Sequence, residues 1–440
     1  MKTFERIGWI LAAAIVIIQG PLYAQAASNE NTAISATAVR SETLAGSTSP
    51  NAAKRTLPED HWLRGTTSDK RAEEEMLPAL IASDAPRKKI AEYGPAYLEQ
   101  IGDTRVIHLR GSYYDMGYQH GKLLKDEIQI GSRLIRTIGM LAWNKSFKQS
   151  SREAWQRTSP FIPQKYKDEI KGMSDATGLP LDIVEDFTIF PELFHCSGFA
   201  VWGKATADGA LLHGRVLDYM REVGLDRWAL IIVQEPDNAN AFVNVGYSGM
   251  IGSVTGMNDK HVAIGEMGGR GGEKWDGMPM TLLVRECLET CGTLEEVRQL
   301  MTGSPRTCQY YYVVSDSKAD NGRGSAYGVS ANPEEAQFIG PNQYNELLPR
   351  PVEDAVLLSA GGRYDCLVNR VEKMYGKIDT QTGLDIMARG VAMSSNMHDA
   401  LFKPATLEMW VCNSTIEDPA CNRPYVHYDL GALINERPKD

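Results

Sequence analysis

The stretch between residues 194 and 219 constrains this chain more than any other. Two apolar runs flank Asp208 and Gly209, a pair that is a strong signal for a two-residue β-hairpin turn. Pairing the strands outward from this turn places Cys196 opposite residues 219–221. The predicted hairpin therefore sets a thiol at the start of one strand beside an Arg and an Asp at the end of the next, which suits nucleophilic catalysis.

The composition limits the classes of protein that the chain can belong to. Its 440 residues are enough for one large domain or two of ordinary size. A hydrophobic fraction of 43% supports a sizeable core and excludes disorder of the whole chain. The net charge of −10, without a basic run, argues against a nucleic-acid partner, because phosphate binding needs a basic face.

The N-terminus has the pattern of an export signal. Lys2 and Arg6 precede an apolar run over residues 7–18, and residues 24–26 have the spacing of a cleavage site. The run is too short for an ordinary membrane span, although an uncleaved anchor is the alternative. We therefore expect an exported protein, periplasmic or extracellular, without stable membrane insertion once the signal is removed.

Shifts in composition along the chain predict four segments. Residues 1–26 are the signal peptide, and residues 27–92 form a linker and an N-terminal extension, with a helix near residues 70–81. Residues 93–195 are mainly helical. Residues 196–435 consist of short alternating segments that are typical of antiparallel strands, followed by helices and further strands. Strands and helices in this order favour a layered sandwich of antiparallel sheets.

The individual elements follow from apolar periodicity and turn residues. Strands are predicted at residues 104–111, 198–203, 210–217, 228–234, 241–247, 251–256, 261–266, 310–315, 335–339, 397–402 and 406–412. Helices are predicted at residues 163–177, 281–291, 293–302, 364–375 and 382–388, with a further helical region that ends near residue 143. A glycine-rich run at residues 268–272 is predicted to be a flexible loop and a candidate lid.

The seven cysteines bear on both redox state and metal binding. In an exported chain, an odd number leaves at least one thiol unpaired. Cys412 and Cys421 flank a short loop and are candidates for a disulfide, whereas Cys287 and Cys291 lie one helical turn apart and have the pattern of core residues. No Cys/His cluster has zinc spacing, so we expect no metal and no other cofactor.

A nucleophilic Cys196 needs a base. A buried structural cysteine is the alternative, but Cys196 marks an abrupt change from a helical to a β pattern. One possible base is a histidine, although none has an accompanying motif; the candidates are His108, His120, His195, His213, His261, His398 and His427. The other is the α-amine of Cys196, freed by cleavage after His195, because a terminal amine titrates near neutrality.

Several motifs together resemble one family. They lie at residues 111–124 (Gly…Gly-x-Gln-His-Gly), 196–218 (ending in Gly-x-x-x-Asp), 256–263 (an Asn turn), 363–370 and 397–429. They resemble the cysteine Ntn-hydrolases and, among these, the penicillin (6-aminopenicillanate) acyltransferase-like family of autoproteolytic acyltransferases and hydrolases. Bile-salt hydrolases, penicillin V acylases and ceramidase-like amidases are more distant. The resemblance covers about residues 95–435 and implies an α+β fold, the αββα sandwich of two antiparallel sheets between helical layers.

The resemblance implies three catalytic residues in the predicted hairpin. Cys196 would be the nucleophile and, after self-cleavage of the His195–Cys196 bond, also the base. Asp218 would contact its amine or thiol, and Arg215 matches an arginine of the bile-salt hydrolase branch. A solvated ion pair is the alternative for Asp218 and Arg215. A regular strand points the two to opposite faces, so both reach Cys196 only where the strand ends or bulges.

The resemblance also implies three further site residues. Asn258 would offer its side-chain amide to the oxyanion, although an Asn in a turn is the alternative. Asn342 would be a second active-site Asn, and Arg363 would lie near the site and bind substrate. His195 stands where the penicillin acyltransferase has Gly, and self-cleavage depends on the strain and fit at that peptide bond.

These expectations combine into one functional hypothesis. An exported precursor cleaves itself, and the Cys196 thiol then attacks the carbonyl of an N-acyl amide. A thioester forms, and the acyl group passes to water or to an amine. The substrate is a small N-acylated amine, amino acid or peptide. The alternatives are a thiol esterase or phospholipase on the same fold, and a secreted binding protein without catalysis.

Overall fold

Two β-sheets lie face to face in the computed structural model of the protein. The structure describes residues 78–437 except for residues 83–84, 144–146, 190–195, 220, 222–223 and 272–273. Helices cover the outer faces of both sheets, which confirms the expected αββα layers. The predicted signal peptide, the linker up to residue 77 and His195 lie outside the described residues. Within the described part, no helix is long and apolar enough to cross a membrane.

The larger sheet has ten strands. In order across the sheet they are β1 (Arg87–Tyr93), β2 (Ala96–Ile101), β3 (Thr104–Gly111), β6 (Ala229–Pro236), β7 (Phe242–Tyr247), β8 (Thr255–Asn258), β9 (Val262–Gly271), β10 (Gln309–Asp316), β11 (Ser325–Ala331) and β12 (Ala336–Ile339). All neighbours pair antiparallel except β3 and β6, which are parallel. That pairing joins the chain before Cys196 to the chain after it within one sheet.

The smaller sheet has six strands, and Cys196 directly precedes one of them. In order they are β13 (Ala355–Leu358), β4 (Ser197–Val201), β5 (Leu212–Asp218), β14 (Asn396–Lys403), β15 (Glu408–Asn413) and β16 (Val426–Asp429), all antiparallel. Its inner face packs on the larger sheet, with Phe402 and Met409 against Ile231 and Val243. The two apolar faces thus form one continuous core.

Ten helices form the outer layers of the described part. They are α1 (Tyr113–Leu123), α2 (Lys125–Trp143), α3 (Phe147–Thr158), α4 (Gln164–Thr177), α5 (Leu181–Thr188), α6 (Met280–Thr290), α7 (Leu294–Gly303), α8 (Gly362–Met374), α9 (Thr380–Ile386) and α10 (Leu430–Asn435), and a short helical turn occupies Ala319–Gly322. Helices α1, α6 and α7 lie on the larger sheet, with α4 packed on α1. Helices α8 and α9 cover the smaller sheet through a second core that includes Leu367 and Leu384.

The motif at residues 111–124 has a packing role. A Cβ on Gly117 of α1 would lie 2.0 Å from the carbonyl oxygen of Glu169, so only glycine permits this close approach of α1 and α4. His120 of the same motif accepts a hydrogen bond from the backbone N–H of Gly249 at 3.0 Å. The motif therefore fastens the helical layer to the larger sheet.

The predicted N-terminal extension ends in a strand, β1, which pairs with β2 at the edge of the larger sheet. Two expectations about individual segments are wrong. The glycine run does not form a loop up to Gly271, because β9 extends that far. A Cβ on Gly269 would lie 2.1 Å from the carbonyl oxygen of Gln309, so glycine allows close strand pairing there. Cys412 and Cys421 are free thiols rather than a disulfide.

Candidate active site

The predicted hairpin is formed by β4 and β5, but its register differs from the expectation. Ser197 pairs with Val216, so Cys196 is not opposite residues 219–221. The prediction of a two-residue turn is wrong, because a 3₁₀ turn at Gly203–Ala205 lengthens the connection between the two strands. The ends of β4 and β5 still bring Cys196 and the end of β5 together, which is the feature on which the chemistry depends.

The thiol of Cys196 is buried where β4 begins. The residue is 1% exposed, and this burial raises the pKa of the thiol to about 12. The positive charge of Arg215 and a hydrogen bond from the backbone N–H of Asp218 lower the pKa but do not outweigh the burial. In the uncleaved chain the thiol is therefore protonated at neutral pH and is a weak nucleophile.

Asp218 ends β5 and is held from two sides. Its Oδ2 lies 2.8 Å from Nη1 of Arg363, and its Oδ1 accepts a hydrogen bond from the backbone N–H of Met393 at 2.9 Å. Nη1 of Arg363 also donates to Oγ of Ser197 at 3.2 Å. Burial raises the pKa of Asp218, and Arg363 opposes this. The alternative of a solvated ion pair between Asp218 and Arg215 is therefore wrong, because both side chains are buried and Asp218 pairs with Arg363.

Arg215 faces a carboxylate that the motifs did not indicate. Its Nη2 donates to the backbone carbonyl of Glu266 at 2.8 Å and lies 3.6 Å from Oε2 of the same residue. Both side chains are 0% exposed. Within the described part of the chain, Nε and Nη1 of Arg215 have no hydrogen-bond partner. Burial raises the pKa of Glu266 to about 7, although Arg215 lowers it. In the sequence, the signal that could have indicated Glu266 was an acidic residue inside the apolar strand β9.

Arg215 and Asp218 act on the same thiol, although a regular strand would point their side chains to opposite faces of the sheet. The end of β5 at Asp218 removes the constraint, and the neighbouring strand β14 changes register between Asn396 and His398. Both side chains therefore lie within electrostatic range of Cys196. The structure brings together four of the predicted site residues: Cys196, Arg215, Asp218 and Arg363.

Asn258 is a structural residue rather than an available oxyanion donor. Its Nδ2 donates to the carbonyls of Leu288 and Cys291, both at 2.8 Å, at the end of α6. Its Oδ1 accepts from the backbone N–H groups of Lys260 and Val262. Both amide hydrogens are therefore used, and the role in oxyanion binding that the resemblance implied is wrong. The alternative, an Asn that shapes a turn, describes its contacts.

The same turn holds His261 in an uncommon backbone conformation. Its φ of 68° lies in the left-handed region that favours glycine. Its Nδ1 contacts the carbonyl oxygen of Pro404 at 2.6 Å, which holds the ring in place.

Asn342 lies away from the catalytic cluster. It is exposed, with a φ of 60°, in the turn that follows β12, the last strand of the larger sheet. Cys196 instead adjoins β4, in the interior of the smaller sheet. The prediction of Asn342 as a second active-site Asn is therefore wrong, because the asparagine belongs to a surface turn.

A buried hydrogen-bond chain adjoins the thiol. The hydroxyl of Tyr247, at the end of β7, lies 3.2 Å from Nδ1 of His398 on β14. Nε2 of His398 lies 3.1 Å from Oγ1 of Thr255. The Cys196 thiol and Arg215 both act electrostatically on Tyr247. Burial and Arg215 lower the pKa of His398 well below its usual range, so the imidazole is neutral.

Five other histidines offered as bases have partners of their own. His108 contacts Glu99, His120 contacts Gly249, His213 contacts Ser315, His261 contacts Pro404 and His427 contacts Glu408. His195, the seventh candidate, lies outside the described residues. Within the residues that the structure describes, no group of three or more His, Cys, Asp and Glu side chains has an arrangement that holds a metal ion.

An apolar cavity of about 120 Å³ begins beside the end of β5. Leu217 and Tyr219, on either side of Asp218, both line it, and so does Tyr247. Phe187 of α5 contributes a wall from the chain before Cys196. The remaining lining residues are Gly131, Ile135, Thr188, Leu225, Trp228, Ser248, Met250, Ile251, Gly252, Val254 and Thr281. The cavity is therefore lined largely by apolar side chains and borders the end of β5 on both sides of Asp218.

The sequence of residues 205–339 matches the family described as acyl-coenzyme A:6-aminopenicillanic acid acyl-transferase. This part of the chain is therefore similar to that family. The matched region contains Arg215, Asp218 and Glu266 and begins after Cys196. The resemblance predicted from the motifs is confirmed, and with it the relationship to enzymes that transfer acyl groups or hydrolyse amides.

Individual relatives extend over more of the chain. Protein dcd1B of Dictyostelium discoideum is 24% identical over 412 residues, which is 82% of this chain and 80% of the relative. Acid ceramidase of Rattus norvegicus is 25% identical over 191 residues, which is 37% of this chain and 47% of the ceramidase. Among solved structures, a Caenorhabditis elegans N-acylethanolamine-hydrolyzing acid amidase ortholog is 14% identical, with a TM-score of 0.37 over 48% of this chain and 93% of the ortholog.

Proposed function

We propose that the protein is an exported cysteine amidohydrolase or acyltransferase that cleaves itself before Cys196 and then cleaves N-acyl amides. The observation that carries this proposal is the buried thiol where β4 begins, within electrostatic range of Arg215 and Asp218 and next to an apolar cavity. The relationship to acyltransferases and ceramidases supports the same reaction class. The export signal at residues 1–26 supports localisation outside the cytoplasm.

Self-cleavage is the first step of the proposal. The Cys196 sulfur attacks the carbonyl carbon of His195, a C–S bond forms, and the C–N bond of the peptide breaks as the thiol proton passes to the nitrogen. Water then hydrolyses the thioester and releases the carboxylate of His195. Before this step the precursor has no terminal amine at Cys196, so the α-amine becomes available as a base only once the bond is broken.

Turnover uses the new α-amine as the base. A terminal amine titrates near neutrality, so it takes the thiol proton when a substrate carbonyl is in place. The thiolate attacks, the leaving amine receives the proton, and water resolves the thioester. Asp218 holds the α-ammonium or the thiol, while Arg363 fixes the Asp218 carboxylate. Water is the expected acceptor, because acyl-coenzyme A is not expected outside the cytoplasm.

The cavity indicates the substrate class. Its walls are largely apolar, so the acyl part of the substrate is apolar and the amide carbonyl lies at the end near Asp218. Phe187 of the helical segment and Trp228 of the second segment both line the cavity. Both fragments are therefore needed for substrate binding after self-cleavage. The fragments stay together through the pairing of β3 with β6.

The proposal is tested with the processed protein and fluorogenic amides of straight-chain fatty acids of increasing length. The wild type is expected to hydrolyse them, and Cys196→Ala is expected to be inactive. Cys287→Ala, which removes another buried thiol on α6, is the matched control and should keep its activity. Activity that survives in Cys196→Ala contradicts the mechanism. Hydrolysis of the matching esters but not of the amides supports the esterase alternative.

A further inference from the structure

Acyl transfer at Cys196 requires a donor for the oxyanion, and the predicted asparagines do not supply it. A tetrahedral intermediate carries a negative oxygen, which a positioned neutral donor stabilises. The amide hydrogens of Asn258 are bound to two carbonyls at the end of α6. Asn342 lies in an exposed turn after β12. The donor must therefore come from another residue that borders both the thiol and the cavity.

Tyr247 meets both conditions. It lines the apolar cavity beside Asp218, and its hydroxyl is within electrostatic range of the Cys196 thiol. It comes from β7 in the larger sheet, so it approaches the thiol from the sheet opposite β4. A phenol stays neutral there, because burial disfavours the phenolate. Tyr247 thus offers an O–H group at the boundary between the cavity and the nucleophile.

His398 determines whether the Tyr247 hydroxyl accepts or donates the hydrogen bond between the two side chains. The imidazole is neutral, since it is buried and lies near the guanidinium of Arg215. One of its nitrogens therefore donates and the other accepts. In the tautomer that carries its proton on Nδ1, the Thr255 O–H donates to Nε2 and the N–H at Nδ1 donates to the Tyr247 oxygen, and the inference uses this tautomer. The phenolic proton is then free to point to the cavity.

We propose that Tyr247 is the hydrogen-bond donor to the oxyanion and that His398 is the residue that positions it. This inference rests on the proposed role of Cys196 as nucleophile. As the C–S bond forms, the electron pair of the carbonyl moves to its oxygen, and the Tyr247 O–H donates a hydrogen bond without transferring its proton. When the C–N bond breaks, the carbonyl re-forms and the hydrogen bond weakens. Thr255, His398 and Tyr247 form one polarised chain that ends at the reacting oxygen.

The first test compares Tyr247→Phe with the wild type, using a fluorogenic fatty-acid amide as the substrate. Loss of one oxyanion donor lowers kcat by about 100- to 1000-fold, with KM nearly unchanged. Tyr97→Phe is the matched control, because its hydroxyl makes only a long contact of 3.4 Å with the carbonyl of Glu436, near the far edge of the larger sheet. An unchanged kcat in Tyr247→Phe overturns the inference.

A second pair of variants tests positioning by His398 separately. His398→Leu removes both ring nitrogens and should lower kcat as far as Tyr247→Phe, whereas His398→Asn, which keeps a donor near the position of Nδ1, should restore part of it. The double variant Tyr247→Phe/His398→Leu should be no slower than either single variant. Additive losses overturn the positioning role. Should Tyr247→Phe fail to fold, kcat of the His398 variants carries the test.

The assays also separate this inference from the proposed function on which it rests. Each variant is checked by mass for the fragment that begins at Cys196 and by a thiol-acylating probe for a reactive Cys196. Processed, acylated Tyr247→Phe with a full kcat overturns the Tyr247 role and leaves the nucleophile in place. A wild type that is neither processed nor active overturns both proposals.

Discussion

Two buried arginines show how the catalytic cluster differs from an ion cluster that only stabilises the fold. The Arg285 cluster consists of Arg285, Glu169 and Glu289. Nε and Nη1 of Arg285 donate hydrogen bonds to Glu289 and to the carbonyl of Ile251 at 2.7 and 2.6 Å, and Nη2 lies 2.6 Å from Oε2 of Glu169 as an ion pair without hydrogen-bond geometry. Arg215 is equally buried, but it is 3.6 Å from the carboxylate of Glu266, and within the described residues two of its nitrogens have no hydrogen-bond partner.

The two arginines differ in how many of their N–H groups have a hydrogen-bond acceptor. A buried donor without a partner costs about 1–3 kcal/mol, so folding alone does not favour the arrangement around Arg215. The Arg285 cluster instead joins α4 of the first segment to α6 of the second with short contacts. We therefore expect Arg285 to determine stability and Arg215 to determine reactivity, and the following variants test this contrast.

The largest expected effect is on stability, in Arg285→Met. Removing the guanidinium takes away the ion-pair partner of the buried Glu169 and leaves the buried Glu289 paired with Lys165 alone, which should lower the free energy of unfolding by about 3–5 kcal/mol. The measurement is urea denaturation in a Cys196→Ala background, where the proposed cleavage does not occur. Arg298→Met is the control, because Arg298 is an exposed arginine on α7 paired with Glu295, and its loss should have no measurable effect. Equal stability of the two variants contradicts the contrast.

The next effect is on activity, in Arg215→Met. Turnover of the amide substrate should fall by roughly 100-fold or more, because the positive charge that favours the thiolate is lost. The stability loss should be smaller than in Arg285→Met, since Glu266 already has a raised pKa and takes up a proton when its partner is removed. Measurement of kcat/KM checks the expected loss of activity, and urea denaturation checks the expected loss of stability. Full activity with a stability loss as large as that of Arg285→Met would reverse the assignment.

The smallest effect is a pH dependence that belongs to Glu266. Its folded pKa of about 7 is above the ordinary value of 4.5, so it contributes stability below pH 4.5 and loses this contribution as the pH rises through 7. The stability difference between the parent and Glu266→Gln should therefore shrink by about 1–3 kcal/mol over this range. Urea denaturation at several pH values, again in the Cys196→Ala background, measures it. A difference that is constant with pH contradicts the raised pKa.

Motifs that are local in sequence predicted the centre of the site. Cys196, Arg215 and Asp218 lie within two paired strands or directly beside them, so a hairpin signal and a resemblance were enough to bring them together. Glu266 and Tyr247 were missed, and His398 was named only as one of seven candidate bases. These three residues come from β9, β7 and β14, whose approach to Cys196 depends on how the two sheets face each other. Apolar alternation predicts strands but not which strands of different sheets meet.

Asn258 shows the opposite error. An Asn that shapes a turn and an Asn that binds an oxyanion look the same in a short motif. Only the carbonyls of Leu288 and Cys291, which are distant in sequence, show that its amide hydrogens are used. Most strands and helices after Cys196 were predictable from their periodicity. β1 was missed because this edge strand is half-exposed to exposed and has few apolar residues, so it lacks the apolar alternation of a half-buried strand.

The account depends most on whether Cys196 becomes a chain terminus. Intact mass spectrometry of the purified wild type and of Cys196→Ala measures this directly. We predict that the wild type contains a fragment whose first residue is Cys196, and that Cys196→Ala remains a single chain with the peptide bond after His195 intact. A wild type that hydrolyses amides as one uncleaved chain, or a Cys196→Ala protein that is still cleaved at this bond, would contradict the account.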